Sequence, residues 1–393
     1  MNRPETSLSI AYTNYGEQSG VTSHVAQALR ALGHRIASVS ARGPLELRDP
    51  QTRLPRVTRD VVIHLAIATV RFRSRALTYR WNTGYAFDVH SRHLGAALAA
   101  LDPAPDVVLQ NGALFAPGLP ARLPYVLLLD HTRALAEASP AYRAAGVAPP
   151  PRYGTAWFAR ERTCYQGAAA IAAFSENVAR SLVRDYAVAR ERIHLVGAGP
   201  NVAPERVVRA DDGETILFVG REFARKGGTV LLDAFELVRR RRPSARLLIA
   251  GPPQPLALPS GAEQLGPVPY ERLEPLFARA TVFTMPTLWE PFGIAFLDAM
   301  ACGVPCVGTA TEAVPEIVEE GRTGLLVPPG DPVALADALL ALLADPARAR
   351  EMGAAGRARV QKQFLWSQVG ARLEAVLQSA REVWPRQPSR VAS

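Results

Sequence analysis

The chain has 393 residues, 48% of them hydrophobic and 21% charged, with a net charge of +9 and an isoelectric point of about 9.9. That is too long for one ordinary core and apolar enough to fill two, which excludes a disordered chain and predicts two domains. No stretch of roughly 18 consecutive apolar residues offers a membrane span, residues 1–7 lack a secretory profile, and Cys164, Cys302 and Cys306 make no disulfide framework, so a cytoplasmic setting is expected.

In chain order, apolar runs at residues 8–11, 36–39, 61–66, 107–109, 125–129, 170–174 and 193–196 predict strands in the first half. Val25, Ala28, Leu29 and Leu32 predict the helix between the first two. Residues 201–214 are polar and charged and read as a linker. In the second half, runs at 216–219, 247–250, 282–285, 306–308 and 325–327 alternate with helical patterns, among them Leu231, Ala234, Phe235, Val238 and then Leu335, Ala338, Leu339, Leu342. Strands alternating with helices predict parallel α/β sheets. The expected division is 1–205, 206–370, a C-terminal helix at 371–384 able to return to the first domain, and a disordered tail at 385–393.

Net positive charge favours anionic partners, but no aromatic-studded strand or helix-turn-helix pattern supports nucleic acid. The run Arg239, Arg240, Arg241, Arg242 closes a predicted helix before Pro243, where cations suit the negative end of the helix dipole. The arginine bias singles out another position. Only Lys226 and Lys362 are lysine, against 43 arginines. Lys226 stands beside Gly227 and Gly228, shortly after the strand at 216–219. A compact, flexible point charge there, in place of a planar fork, predicts a tight anion site.

Ligands of open parallel sheets bind beyond the carboxyl ends of the strands. Two polar clusters follow such ends, Gly220 to Gly228 and Thr287 to Gly293, which places Arg221, Lys226 and Glu290 on one edge of one sheet. A helix begins after Gly293, at Ile294, with Asp298 about one turn inside. Its free N–H groups and dipole can seat phosphate opposite the two cations. Glu290 and Asp298 repel phosphate and therefore suit sugar and ribose hydroxyls, the layout of a nucleoside diphosphate sugar. Ordinary capping and surface duty is the plainer reading of both carboxylates, and their clustering argues against it.

These residues resemble glycosyltransferase family 4 (glycosyl transferases group 1), retaining enzymes with two facing Rossmann-like doubly wound domains and an inter-domain cleft, the GT-B fold. The resemblance rests on Ser19-Gly20-Val21-Thr22-Ser23-His24-Val25 with Leu32-Gly33-His34, on Ala172-Ala173-Phe174-Ser175-Glu176 and Val196-Gly197-Ala198-Gly199, on Glu290-Pro291-Phe292-Gly293 through Asp298-Ala299-Met300-Ala301-Cys302-Gly303-Val304-Pro305, on Gly321-Arg322-Thr323-Gly324-Leu325-Leu326-Val327-Pro328, and on Phe364-Leu365-Trp366. It implies that Arg221 and Lys226 hold the donor diphosphate, Glu290 the donor sugar and Asp298 the ribose. Gly20 would let its loop approach the donor, His131 would sit across the cleft near the sugar, and Phe292, Gly293 and Ile294 would line the donor site. Base recognition by backbone is expected around Val268. No metal or other cofactor is implied, and polysaccharide biosynthesis is the expected setting.

Three departures from the family pattern stand out. Asp298 replaces the usual Glu, the first loop has Ser19-Gly20 in place of paired glycines, and Glu312-Ala313 replaces a Gly-Gly pair in a loop usually near the donor, so Glu312 is expected to alter donor choice. The acceptor, a hydroxyl compound, is expected on the first domain. Arg71-Phe72-Arg73-Ser74-Arg75 and Tyr79-Arg80-Trp81 interleave cations with aromatics and suit peripheral docking to an anionic membrane at its inner face, although a solvated face is the simpler reading. Cys302 and Cys306 are expected in the core. The rival readings are a nucleotide-sugar 2-epimerase of the same fold and a non-catalytic nucleotide-sugar or polyanion binder.

Overall fold

The computed structural model describes residues 7–48, 52–117, 123–139, 152–203 and 208–384. The first half builds a six-stranded parallel sheet from β1 (Ser9–Asn14), β2 (Arg35–Ser40), β3 (Val107–Asn111), β4 (Tyr125–Leu129), β5 (Ala170–Ala173) and β6 (Ile193–Leu195), in the order β2-β1-β3-β4-β5-β6. Helices α1 (Val21–Ala31), α2 (Arg59–Phe72), α3 (Ala76–Tyr79), α4 (Gly84–Ala99), α5 (Arg133–Ala138), α6 (Thr155–Gly167) and α7 (Glu176–Tyr186) connect them. The second half repeats the plan with β7 (Thr215–Val219), β8 (Arg246–Ala250), β9 (Ala262–Gly266), β10 (Val282–Met285), β11 (Cys306–Thr309) and β12 (Gly324–Val327), in the order β12-β11-β10-β7-β8-β9. Its helices are α8 (Gly228–Arg241), α9 (Glu274–Arg279), α10 (Ile294–Ala301), α11 (Val314–Ile317), α12 (Pro332–Ala344), α13 (Pro346–Gln363) and α14 (Trp366–Val383).

Both sheets are doubly wound, the arrangement expected of two Rossmann-like domains. Their central strands are buried on both faces, which is why they read as unbroken apolar runs. Strand order reverses between β1 and β3 in one sheet and between β7 and β10 in the other, so each has a crevice at that point. Buried Cys302 and Cys306 lie in the core that spans the second sheet, as expected. The arginine run closes α8, with Arg241 pairing with Asp337 at 2.7 Å and Arg242 with Glu214 at 2.7 Å near the surface.

Residues 61–66 are a correction. The apolar run continues to Val70, too long for a typical strand, and Thr58 caps it by accepting from the Val61 N–H at 3.3 Å; it is helix α2. The final helix also begins earlier than predicted, at Trp366. It lies on the first half: Arg372 donates to the Val196 carbonyl at 2.9 Å and Glu374 meets His34 at 2.9 Å. The expected tail, 385–393, lies outside the described residues, as do residues 204–207 of the linker. Among the described residues no helix is long and apolar enough to cross a membrane.

Candidate active site

A cavity of about 600 Å³ lies where the two crevices face each other. The first half contributes Gln18, Ser19 and Val21 after β1, Asn111 at the end of β3, Asp130 after β4 and Phe174 after β5; the crossing segment adds Asn201. The second half contributes Gly220, Arg221, Arg225 and Lys226 after β7, Gly251 after β8, the segment Pro267 to Tyr270 after β9, and Glu290 through Ala295 with Asp298 after β10. Every contribution lies at or beyond a strand's carboxyl end.

The glycine-rich loop explains how a lysine reaches this cavity. Gly220 carries no Cβ, and one placed there would overlap the stem of Lys226, which lies across it. Gly227 has φ 75°, and a Cβ on it would overlap the carbonyl oxygen of Pro286 at the exit of β10. The loop is thereby pressed against the neighbouring strand end. Lys226 Nζ donates to Glu290 Oε2 at 2.9 Å, and Arg225 Nη1 stands 3.5 Å from the same oxygen. Glu290 is 7% exposed. Burial opposes its charge, but the two cations outweigh it and hold its carboxyl below the ordinary range. An ammonium has three donors; Glu290 and Met285 Sδ, the latter at 3.2 Å, take two, so Lys226 can keep both and still offer one N–H to the cavity. Arg221 is exposed, lines the same cavity and forms no ion pair among the described residues.

Helix α10 is capped by Gly293, φ 108°, with Gly293, Ile294 and Ala295 lining the cavity. Its free N–H end supplies the positive dipole opposite Arg221 and Lys226. Asp298, one turn in, is 2% exposed. Its Oδ1 accepts from the N–H of Asn201 at 2.5 Å and of Val202 at 3.2 Å, in the segment that crosses between the halves. Burial raises its carboxyl to about 7, although those two N–H groups pull the other way. Phe292 meets Phe174 edge-on across the cavity, with centroids 5.3 Å apart.

Arg221, Lys226, Val268, Glu290, Phe292, Gly293, Ile294 and Asp298 thus share one cavity. Two expected residues do not line it. His131 sits behind Asp130, with Nδ1 2.9 Å from Asp130 Oδ1 and its ring edge-on to Trp289 at 5.5 Å. Asp130 is the side chain that reaches the cavity. Gly20, φ 82°, caps α1, and the space it leaves is filled by the Asn201 side chain; Ser19 and Val21 face the cavity on either side. Glu312 is likewise turned away. With φ 49° it reaches Asn177 of the first half at 2.8 Å, while neighbouring Glu316 accepts the N–H groups of Glu176 at 2.7 Å and Asn177 at 2.8 Å. That loop ties the two halves together at the start of α7.

Sequence reasoning missed Arg225, Asp130, Asn111 and Asn201. Asp130 and Arg225 each adjoin a residue that was singled out, so adjacency was the available signal. Asn111 and Asn201 had none.

Residues 213–345 match the sequence model described as Glycosyl transferases group 1. Over that segment the chain is similar to the group 1 glycosyltransferases. The chain is 33% identical over 259 residues to the alpha-maltose-1-phosphate synthase of Mycolicibacterium smegmatis, a match covering 57% of this chain and 65% of that one. It therefore spans less than two thirds of that curated relative. Sucrose-phosphate synthase from Thermosynechococcus elongatus shares the fold at a TM-score of 0.71 and 19% identity, over 96% of this chain and 100% of that one. Anabaena HepE, solved in complex with UDP-glucose, matches at a TM-score of 0.63 and 14% identity, over 95% of this chain and 100% of that one. The family-matching segment, 213–345, holds the whole second-half wall of the cavity.

Proposed function

We propose that this chain is a retaining, metal-independent glycosyltransferase that moves a sugar from a nucleoside diphosphate sugar to a hydroxyl of a glycan, lipid-linked saccharide or small molecule. The observation that carries this is the convergence of Arg221, Lys226 and the α10 start with the buried carboxylate of Glu290 in one cavity between two doubly wound sheets. The cations and helix N–H groups grip the diphosphate and stabilise its charge as it leaves. Glu290, held ionised by Lys226 and Arg225, accepts from sugar hydroxyls, Asp298 meets the ribose, and the segment at Val268 receives the base. The departing phosphate oxygen takes the proton of the acceptor hydroxyl, so the proposed mechanism needs no separate base. HepE is described with UDP-glucose and the maltose-1-phosphate synthase by its product, both in keeping with this reading. An epimerase would need acid and base carboxylates on the first half, and Asp130 is the one that half brings to the cavity among the described residues. The reading includes peripheral contact of the arginine-rich part of the first half with an anionic membrane.

The test is incubation with a panel of nucleoside diphosphate sugars such as UDP-glucose and GDP-mannose. Release of nucleoside diphosphate with transfer or hydrolysis at retained anomeric configuration is expected. An isomerised donor, or unchanged donors throughout, would overturn the proposal.

A further inference from the structure

Helix α2 is built inside out. Its run from Val61 to Val70 has only His64 and Thr69 as polar members, yet the residues it buries are Val61, His64 and Ala68. The imidazole is 0% exposed, whereas Val62 is 54%, Ile67 36% and Val70 85% exposed. A helix apolar on all sides belongs in a core or against lipid. The approach to α2 adds exposed Leu54 and Val57, and α3 adds Leu77. Six of the thirteen large apolar side chains exposed among the described residues fall in this one stretch.

Charge decides what covers the face. Between residues 52 and 80 the chain carries seven arginines and one acid, Asp60, which already accepts from the Tyr85 hydroxyl at 2.6 Å. Arg53, Arg59 and Arg73 are exposed and make no ion pair among the described residues. Arg59 lies three residues before Val62 and Arg73 three after Val70, so cations rim the apolar stripe at both ends. A second copy of the chain would oppose like charge to like charge. A polyanion in water would match the arginines and leave the valines wet. A bilayer with anionic headgroups satisfies both.

We infer that α2 lies flat on an anionic lipid surface, with Val62, Ile67 and Val70 in the acyl boundary and Arg59 and Arg73 on headgroups. The aromatics further along do not insert. Arg75 covers Tyr79 at 4.5 Å and Arg80 covers Trp81 at 4.1 Å. This deepens the membrane contact of the proposed function on a surface that shares no residue with the cavity, so the two are tested apart.

The experiment is flotation of the full chain with phosphatidylglycerol or phosphatidylcholine vesicles. Recovery with phosphatidylglycerol should exceed that with phosphatidylcholine by roughly tenfold at about 0.1 M salt and fall at about 1 M, where the screening length drops to about 3 Å. The double variant V62E/V70E, at exposed positions, should lose roughly tenfold in recovery while keeping its melting temperature and its thermal shift with UDP or GDP. No flotation, equal recovery with both lipids, or a double variant that floats like the parent would overturn the inference. So would a dimer, seen by sedimentation velocity, that V62E/V70E dissociates in the absence of flotation. Flotation without any nucleotide response would sink the glycosyltransferase proposal alone.

Discussion

Replacing Lys226 by methionine keeps the stem that crosses Gly220 and deletes the ammonium. Glu290 then becomes a buried carboxylate whose remaining cation is Arg225, 3.5 Å away and already bound to Glu222 at 2.6 Å. Breaking one side of a buried pair costs about 3–5 kcal/mol. Arg225 offsets part of this, so a loss of about 2–3 kcal/mol is expected, within the roughly 5–15 kcal/mol typical of a folded domain. Turnover should suffer more. A preorganised charge aimed at the leaving group contributes about 3–4 kcal/mol to the transition state, or roughly 10²–10³ in rate. Adding Glu290→Gln neutralises the orphaned carboxylate, so the double variant should regain stability without regaining turnover. Urea unfolding and release of nucleoside diphosphate from the accepted donor measure the two separately. Turnover of Lys226→Met within twofold of the parent, or recovered turnover in the double variant, would refute the assignment.

Three other perturbations read different parts of the account. Asp298 ionises near 7 in the folded chain against an ordinary 3.8, so the folded state keeps a proton that the unfolded state loses and stability falls as pH rises from about 4 to about 7, by up to about 1.4 kcal/mol per pH unit; Asp298→Asn should flatten that slope, and parallel slopes in urea titrations would contradict it. Gly227→Ala forces a Cβ onto the Pro286 carbonyl oxygen at φ 75° and should cost about 2 kcal/mol or more, visible as a lowered melting temperature; an unchanged melt would show the loop to be slack. Glu316→Ala removes the acceptor of two N–H groups at the α7 start and should cost about 1–2 kcal/mol, with faster hydrogen exchange at Glu176 and Asn177; unchanged exchange there would mean the contact is not maintained in solution.

Most of the second sheet was legible because its central strands are buried on both faces and write themselves as continuous apolar runs. β9 escaped because it is an edge strand, Ala262-Glu263-Gln264-Leu265-Gly266, with no apolar run. The run at 61–66 misled because helix α2 exposes its apolar face, so no polar stripe marked its period. In the site, Lys226 was legible through its rarity, whereas Arg225 was one arginine among 43. Asn201 and Glu316 owe their places to partners 97 and 140 residues away, and no local pattern encodes such contacts. The loop of Glu312 was assigned to the donor by resemblance, and its positive φ turns it toward Asn177 instead.

A crystal structure with a bound nucleoside diphosphate tests the central claim most directly. The account predicts diphosphate oxygens within hydrogen-bond distance of Arg221, Lys226 Nζ and the first N–H groups of α10, with the base against Val268. A diphosphate seated elsewhere, or held in this cavity without either cation, would contradict it.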